Sequence, residues 1–360
     1  MLVASNSSGR ASGCEAGSAD PKVYFTEVYR AFSEAGQAAG EIVERYFGLG
    51  GFTLCLQFAG PALISPITTA LAHLAIDPVA SPSLTISLWD SASTRVRIPP
   101  FPWRPENYLE YGLVDGFCTE RIKTICQSAL QLIDLDLNRA VYWVPDASQM
   151  PYHHSTTPLR TIFHWWLSEQ RRFIIHAAAV GLPEGGVLIT GRGGAGKSTT
   201  ALASIDYGLK YVSDENCIIS TGESPRAYSL YSSGSLEAED VDRLPSLLPC
   251  LSNREKLGEE KAVYFLSPRY RQNLCETFPV RAVFVPRVSG KRTTSILKRS
   301  PTQTLLALAP GSIFQLPGAG RDSFRAMADL VRQVPCYTLE VGTDLQEIPR
   351  VIEDFLRCGY

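Results

Sequence analysis

At 360 residues the chain is long enough for two domains or one large one. Its composition, 45% hydrophobic and 19% charged, is that of an ordinary soluble globular protein, and no apolar run approaches the roughly 20 residues of a membrane-spanning helix. A formal net charge of −2 gives no reason to expect nucleic acid or an anionic membrane as a partner, so any phosphate recognition must be local.

Residues 1–21 are rich in Ser, Gly and Ala and lack the apolar centre of a secretory signal, so a flexible tail is expected. Residues 22–150 alternate short strand-like and helix-like stretches and are expected to form a smaller α+β domain. Phe52 to Phe58 and Leu84 to Trp89 alternate with the two-residue period of strands. Between them Pro61 to Ile76 suits a helix, bent or weakened at Pro66. Ile98 to Pro105 carries too many prolines for helix or central strand and reads as an extended crossing segment. Ala140 to Val144 reads as a further strand. Nothing in this half carries recognisable chemistry.

From about Pro151 the pattern changes, and residues 151–360 are expected to form a second domain. Leu159, Ile162, Phe163, Trp166 and Leu167 fall on one helical face; Trp165 and Trp166 read as core aromatics. Phe173 to Val180 and Gly186 to Thr190 suggest two strands joined by a hairpin at Leu182 to Gly185. Ser198 to Tyr207 suits a helix stopped by Gly208, and Leu209 to Val212 a strand ending at Ser213-Asp214-Glu215-Asn216. Strands at Ala282 to Val285 and Tyr337 to Val341 and a last helix over Asp344 to Leu356 complete the alternation, which is that of a mixed α/β fold. The nine cysteines are dispersed with no CxxC pair, which argues against a disulfide framework or zinc site and for a cytoplasmic location.

Gly191, Arg192, Gly193, Gly194, Ala195, Gly196, Lys197 and Ser198 match G-x-x-x-x-G-K-[ST] between an apolar strand and a helix. Glycines let the backbone curl so that successive N–H groups face one anion, and the positive end of the following helix adds to the attraction. Gly191 through Thr199 are therefore the expected nucleotide-binding residues. Lys197 is expected to reach the β- and γ-phosphates of ATP, and the Ser198 hydroxyl to ligate Mg²⁺.

A phosphate loop alone does not separate a kinase from a motor or a switch. Asp214 ends the strand that follows the loop helix, so helix and return strand bring it to the same edge of the sheet. A carboxylate there can ligate Mg²⁺ or take a proton from an attacking hydroxyl, and Glu215 beside it offers a second. His176, in the strand-like run before the loop, is the remaining candidate; alone on an apolar strand it reads as a core residue.

Taken together, His176-Ala177-Ala178-Ala179-Val180, the strand into Gly191, the loop Gly194 to Ser198, Gly208, and Val212 to Asn216 resemble the catalytic domain of HPr kinase/phosphorylase. The similarity covers about Phe173 to Ile219. The resemblance implies a fold related to ATP-dependent phosphoenolpyruvate carboxykinase. It implies Asp214 as general base towards a serine hydroxyl, Glu215 in place of the second family aspartate, and His176 as the family histidine near them. It also implies an acidic residue and an arginine downstream, for which Glu237, Glu239 and Arg243 are the candidates. Kinases of peptide serines share this core without the HPr-specific parts, and the chain looks closer to that wider group.

The expected function is thus an ATP- and Mg²⁺-dependent kinase acting on serine or threonine of a peptide or small protein. A nucleotide sensor or assembly ATPase and a small-molecule kinase stay open as alternatives, and so does a homo-oligomer. Arg281, Arg287 and Arg292, around the expected strand at Ala282 to Val285, are candidates for further phosphate contacts.

Overall fold

The computed structural model describes residues 20–104, 107, 112–114 and 117–358. Residues 1–19 of the expected tail lie outside these, as does Pro105 of the proline-rich segment. Helix α1 starts at Pro21 and runs to Ala39, its amide at Lys22 capped by the Asp20 carboxylate and its end set by Gly40 in the left-handed region.

Strands β1 (Ile42–Leu49) and β2 (Phe52–Ala59) form a hairpin closed by Gly50 and Gly51, both at positive φ. The stretch expected as one helix is a short α2 (Ile64–Thr68) followed by a 3₁₀ segment over Thr69–Leu74. Pro66 sits in the first turn of α2, where no amide is needed, so it does not bend the helix. Strand β3 (Leu84–Asp90), the single turn α3 (Ser91–Thr94), and strands β4 (Ile122–Cys126), β5 (Leu130–Asp134) and β6 (Arg139–Val144) complete this half. The sheet order is β1-β2-β3-β6-β5-β4, parallel only at β2/β3 and β3/β6. Tyr24, Val28 and Phe32 of α1 cover one face against Trp89, Leu132 and Val141.

After the turn α4 (His153–Thr156), helix α5 (Arg160–Glu169) covers the other face. Ile162, Phe163, Trp165, Trp166 and Leu167 are buried there with Leu54, Leu56, Ile86 and Leu88, so both tryptophans are core. The same cluster takes in Ile174, Ile218, Leu230 and Tyr231 from the second half, which makes one apolar core across the junction.

The second half contains β7 (Phe173–Ile175), β8 (Ala177–Leu182), β9 (Gly185–Thr190), α6 (Lys197–Tyr207), β10 (Lys210–Ser213), β11 (Cys217–Ser220), β12 (Arg226–Tyr228), β13 (Ser233–Leu236) and β14 (Ala262–Phe265). The turn α7 (Ser267–Tyr270), β15 (Thr277–Val288), β16 (Ser295–Lys298), α8 (Pro301–Ile313), α9 (Arg321–Gln333), β17 (Cys336–Val341) and α10 (Glu347–Cys358) follow. The main strand order is β10-β8-β9-β15-β12-β11-β7, with β17 beside β15 and β16 beside β17; β9, β15 and β17 are parallel to one another. The whole is a mixed α/β fold. Among the described residues no helix is long and apolar enough to cross a membrane.

One expectation is corrected here. Phe173 to Val180 is not a single strand: it breaks at His176, β7 pairing with β11 and β8 with β9 and β10. The neighbouring pair breaks in the same place, β10 giving way to β11 at Asp214-Glu215-Asn216. β15 switches partners along its length, from β12 to β9 and β17 across an irregularity between Val280 and Ala282. Three segments of the chain thus turn one layer of sheet into another, and such corners leave backbone and side chains free of ladder pairing.

Candidate active site

The phosphate loop leaves the end of β9, which lies between β8 and β15. Gly194 and Gly196 have φ of 75° and 95°, which a side chain resists, and no atom lies within 4 Å of a Cβ placed at either. Backbone conformation, not crowding, therefore requires these glycines. Helix α6 begins at Lys197 with no side chain capping its first turn, so its leading amides face the loop. Lys197 is buried, and its Nζ donates to the Gly191 and Arg192 carbonyls at 2.9 and 3.1 Å. Burial lowers its pKa, while Asp214 and Glu215 pull the other way.

Asp214 stands at the sheet corner, two strands away from the loop strand. It is 1% exposed, and burial followed by the nearby Glu215 charge pushes its pKa up to about 7. The Ser198 hydroxyl and the Ser235 amide oppose the rise. Asp214 Oδ2 accepts from the Ser235 N–H at 3.2 Å, whereas Oδ1 is buried with no hydrogen-bond partner among the described residues. Glu215 Oε1 accepts from the Ser235 hydroxyl at 3.1 Å. The two carboxylates thus share one serine of β13.

The strand register explains why His176 joins them. Ala177 pairs with Thr190, just before the loop, while Ile175 pairs with Cys217, just after the acidic corner. His176 therefore lies between the loop and Glu215. Its N–H donates to Ser312 Oγ at 2.9 Å, its carbonyl accepts from Thr190 Oγ1 at 3.3 Å, and its ring packs against Gly311 of α8. Burial, with Lys197 second, lowers the imidazole pKa to about 4, so the ring is neutral at pH 7. Nδ1 is buried without a partner among the described residues.

Asp214 and Glu215 open into a cavity of about 260 Å³. Its far wall consists of Tyr152, Arg160, Tyr231 and Ser233 to Ser235, with Lys261 just before β14. Lys261 pairs with Glu237 at 2.7 Å. No motif marks Arg160, Ser235 or Lys261 in the sequence; they reach the site through long-range folding. Tyr231 OH donates to the Pro158 carbonyl at 2.7 Å, and Ser233 Oγ to the Thr156 carbonyl at 2.7 Å, which ties this wall to the entry of α5.

Other candidates lie elsewhere. Glu239 and Arg243 are exposed outside the cavity lining, Arg243 pairing with Asp240; Glu237 meets the site through Lys261. Arg281 donates to the Glu184 carbonyl, at the opposite end of β9 from the loop. Arg287 sits at the loop end of β15 but is paired with Glu340, and Arg292 is exposed in the turn after β15.

Asp214 Oδ1 and the Ser198 hydroxyl fit a magnesium ion, which needs one or two protein oxygens beside substrate phosphates and water. Among the described residues no cluster of three or more His, Cys, Asp or Glu side chains holds a metal by itself.

No protein-family model matches the chain, and no curated protein does. Among solved structures it is similar to the Hpr(Ser) kinase/phosphatase from Coxiella burnetii, at 12% identity and a TM-score of 0.28 over 51% of this chain and 94% of that one. A match this distant assigns no function.

Proposed function

We propose that the chain is an ATP-dependent kinase that transfers a γ-phosphoryl group to a hydroxyl, the acceptor being a serine or threonine of a peptide or small protein. The observation that supports it is Asp214: a buried carboxylate with one free oxygen, beside Ser198 on the loop side and open to a cavity on the other. A motor or switch shares the loop and also places a group that orients its attacking water; what favours transfer to an acceptor here is that the carboxylate borders a cavity of about 260 Å³, large enough for more than a water.

In this reading the loop amides and Lys197 hold the β- and γ-phosphates, Lys197 exchanging its two carbonyl partners for phosphate oxygens. Ser198 and Asp214 hold Mg²⁺, which when bound offsets charge on the transferring group. Asp214 also orients the acceptor hydroxyl and takes its proton as the new oxygen–phosphorus bond forms and the β–γ bridge breaks, releasing ADP. Two carboxylate oxygens offer about four acceptor sites, of which Ser235 uses one, so both contacts are accommodated. Glu215 and the neutral His176 position this corner rather than react.

The test is purified protein with γ-labelled ATP and a cell extract fractionated by size. Label on a peptide or protein, lost in Lys197→Ala, is the expected result. Label on a dialysable metabolite indicates a small-molecule kinase, and tight ATP binding with no transfer to any fraction indicates a sensor.

A further inference from the structure

Beside the Asp214 cavity lies a smaller one of about 110 Å³, about the room of three or four waters. Thr157 and Arg160 line both. The rest of the smaller wall joins the two halves of the molecule. Gln127 and Gln131 come from the β4–β5 hairpin and Tyr142 from β6, with His154 of α4 and Gln315 beyond α8. Tyr142 OH and His154 Nδ1 share a hydrogen bond of 2.6 Å, and His154 Nε2 meets Ser128 Oγ at 3.1 Å, which fixes this side of the cavity.

Two polar groups in this wall lack a counterpart. Arg160 opens α5 and is half-buried, yet its guanidinium makes no hydrogen bond or ion pair among the described residues. Lys261, the other cation of the Asp214 cavity, is taken by Glu237 at 2.7 Å, and no carboxylate lines the smaller cavity. Gln131 Oε1 is buried and also has no partner among the described residues. Leu159, which leads the chain into Arg160, has φ of 59°, a left-handed conformation that a side chain resists and that its burial holds in place.

We propose that this cavity reads the acceptor: a carboxylate of the peptide pairs with Arg160, and a neighbouring peptide N–H donates to Gln131 Oε1, beside the hydroxyl that Asp214 serves. The proposal rests on the kinase reading. A guanidinium takes a carboxylate through two parallel hydrogen bonds, the strongest match for a cation left unpaired. No residue of the phosphate loop lines either cavity, which favours the acceptor over the nucleotide as the source of the anion. Gln131 and Tyr142 give the first half of the chain a part in choosing the substrate.

A library of serine peptides with amidated ends, carrying Asp, Glu, Asn, Gln or Lys at each flanking position, tests it with the full chain and γ-labelled ATP. The wild type prefers Asp or Glu over Asn or Gln at one position by about 30-fold in kcat/KM. Arg160→Gln removes that preference, Arg160→Glu turns it towards Lys, and Gln131→Leu weakens transfer to the acidic peptide about fivefold. Calorimetry shows that all three variants still bind Mg-ATP and are therefore folded. A second library ending in a free carboxylate separates an acidic side chain from the chain end as the source of the anion. Labelling with no preference for a carboxylate in either library overturns the anchor and leaves the kinase reading standing. So does a loss in Arg160→Gln that is equal for acidic and neutral peptides, which marks Arg160 as a phosphate contact. No labelled peptide at all overturns the peptide-kinase reading, and the anchor with it.

Discussion

Gly191 to Ser198 are consecutive residues, shaped by their own glycines and by the helix that begins at Lys197. The Asp214 corner is built differently. It exists because β7/β8 and β10/β11 break side by side, and its facing wall is tied down by contacts across the chain. Tyr231 bonds Pro158, Ser233 bonds Thr156, and Ser232 bonds the Ala70 carbonyl in the first half of the molecule. One side of the site is local and self-sufficient; the other depends on the whole fold. Nucleotide binding should therefore be separable from acceptor handling, and the first half of the chain braces the acceptor side through the Ser232–Ala70 contact.

The largest expected effect isolates the local side. Lys197→Ala removes an ammonium that makes two or more charge-assisted bonds, so ATP affinity falls about 1,000-fold by calorimetry. The Asp214 corner keeps its fold, and the thermal midpoint changes little. A collapse of stability alongside binding would break the separation.

The second effect isolates the corner through pH. Folding raises the Asp214 pKa from 3.8 to about 7, so the native state holds this proton more tightly than the unfolded chain. The stability it confers is full below about pH 4 and lost as pH rises towards 7, above which the buried charge is a constant cost. Asp214→Asn should therefore stabilise the metal-free protein at pH 8 by on the order of 2–4 kcal/mol and do little at pH 4. His176 adds the opposite slope: with its pKa lowered to about 4, stability is lost as pH falls from 6.5 towards 4. Denaturant midpoints of wild type and variant at several pH values separate the two. A variant no more stable at pH 8 than the wild type would falsify the buried-charge account.

The smallest effect probes the cavity wall where it is tied to the entry of α5. Tyr231→Phe deletes the hydroxyl bonded to Pro158 and costs about 1 kcal/mol of stability. Acceptor KM should rise while ATP affinity stays put. Equal changes in both would mean that the two sides are not independent.

The same contrast governs what the sequence makes legible. The loop and its flanking strand and helix are local patterns of glycine placement and apolar runs, and they are readable as such. Asp214 is readable because strand, loop, helix and return strand follow in immediate succession. His176 is harder: its apolar neighbours suggest one strand, and only the pairing of β7 and β8 with different partners reveals the break. Gly50-Gly51 is a two-residue hairpin signal that marks β1 and β2, yet the polar Glu44-Arg45 stretch hides β1 from a period-two reading. Arg160, Ser235 and Lys261 carry no signal, because their place at the cavity is set by contacts between distant segments.

The central claim is that Asp214 serves the acceptor across the loop from the nucleotide. Phosphoryl transfer by Asp214→Asn at saturating Mg-ATP and saturating acceptor tests it most directly, since saturation with both removes effects on binding. A general base contributes roughly 100-fold or more, so kcat should fall by at least that factor. Transfer at the wild-type rate would contradict the account.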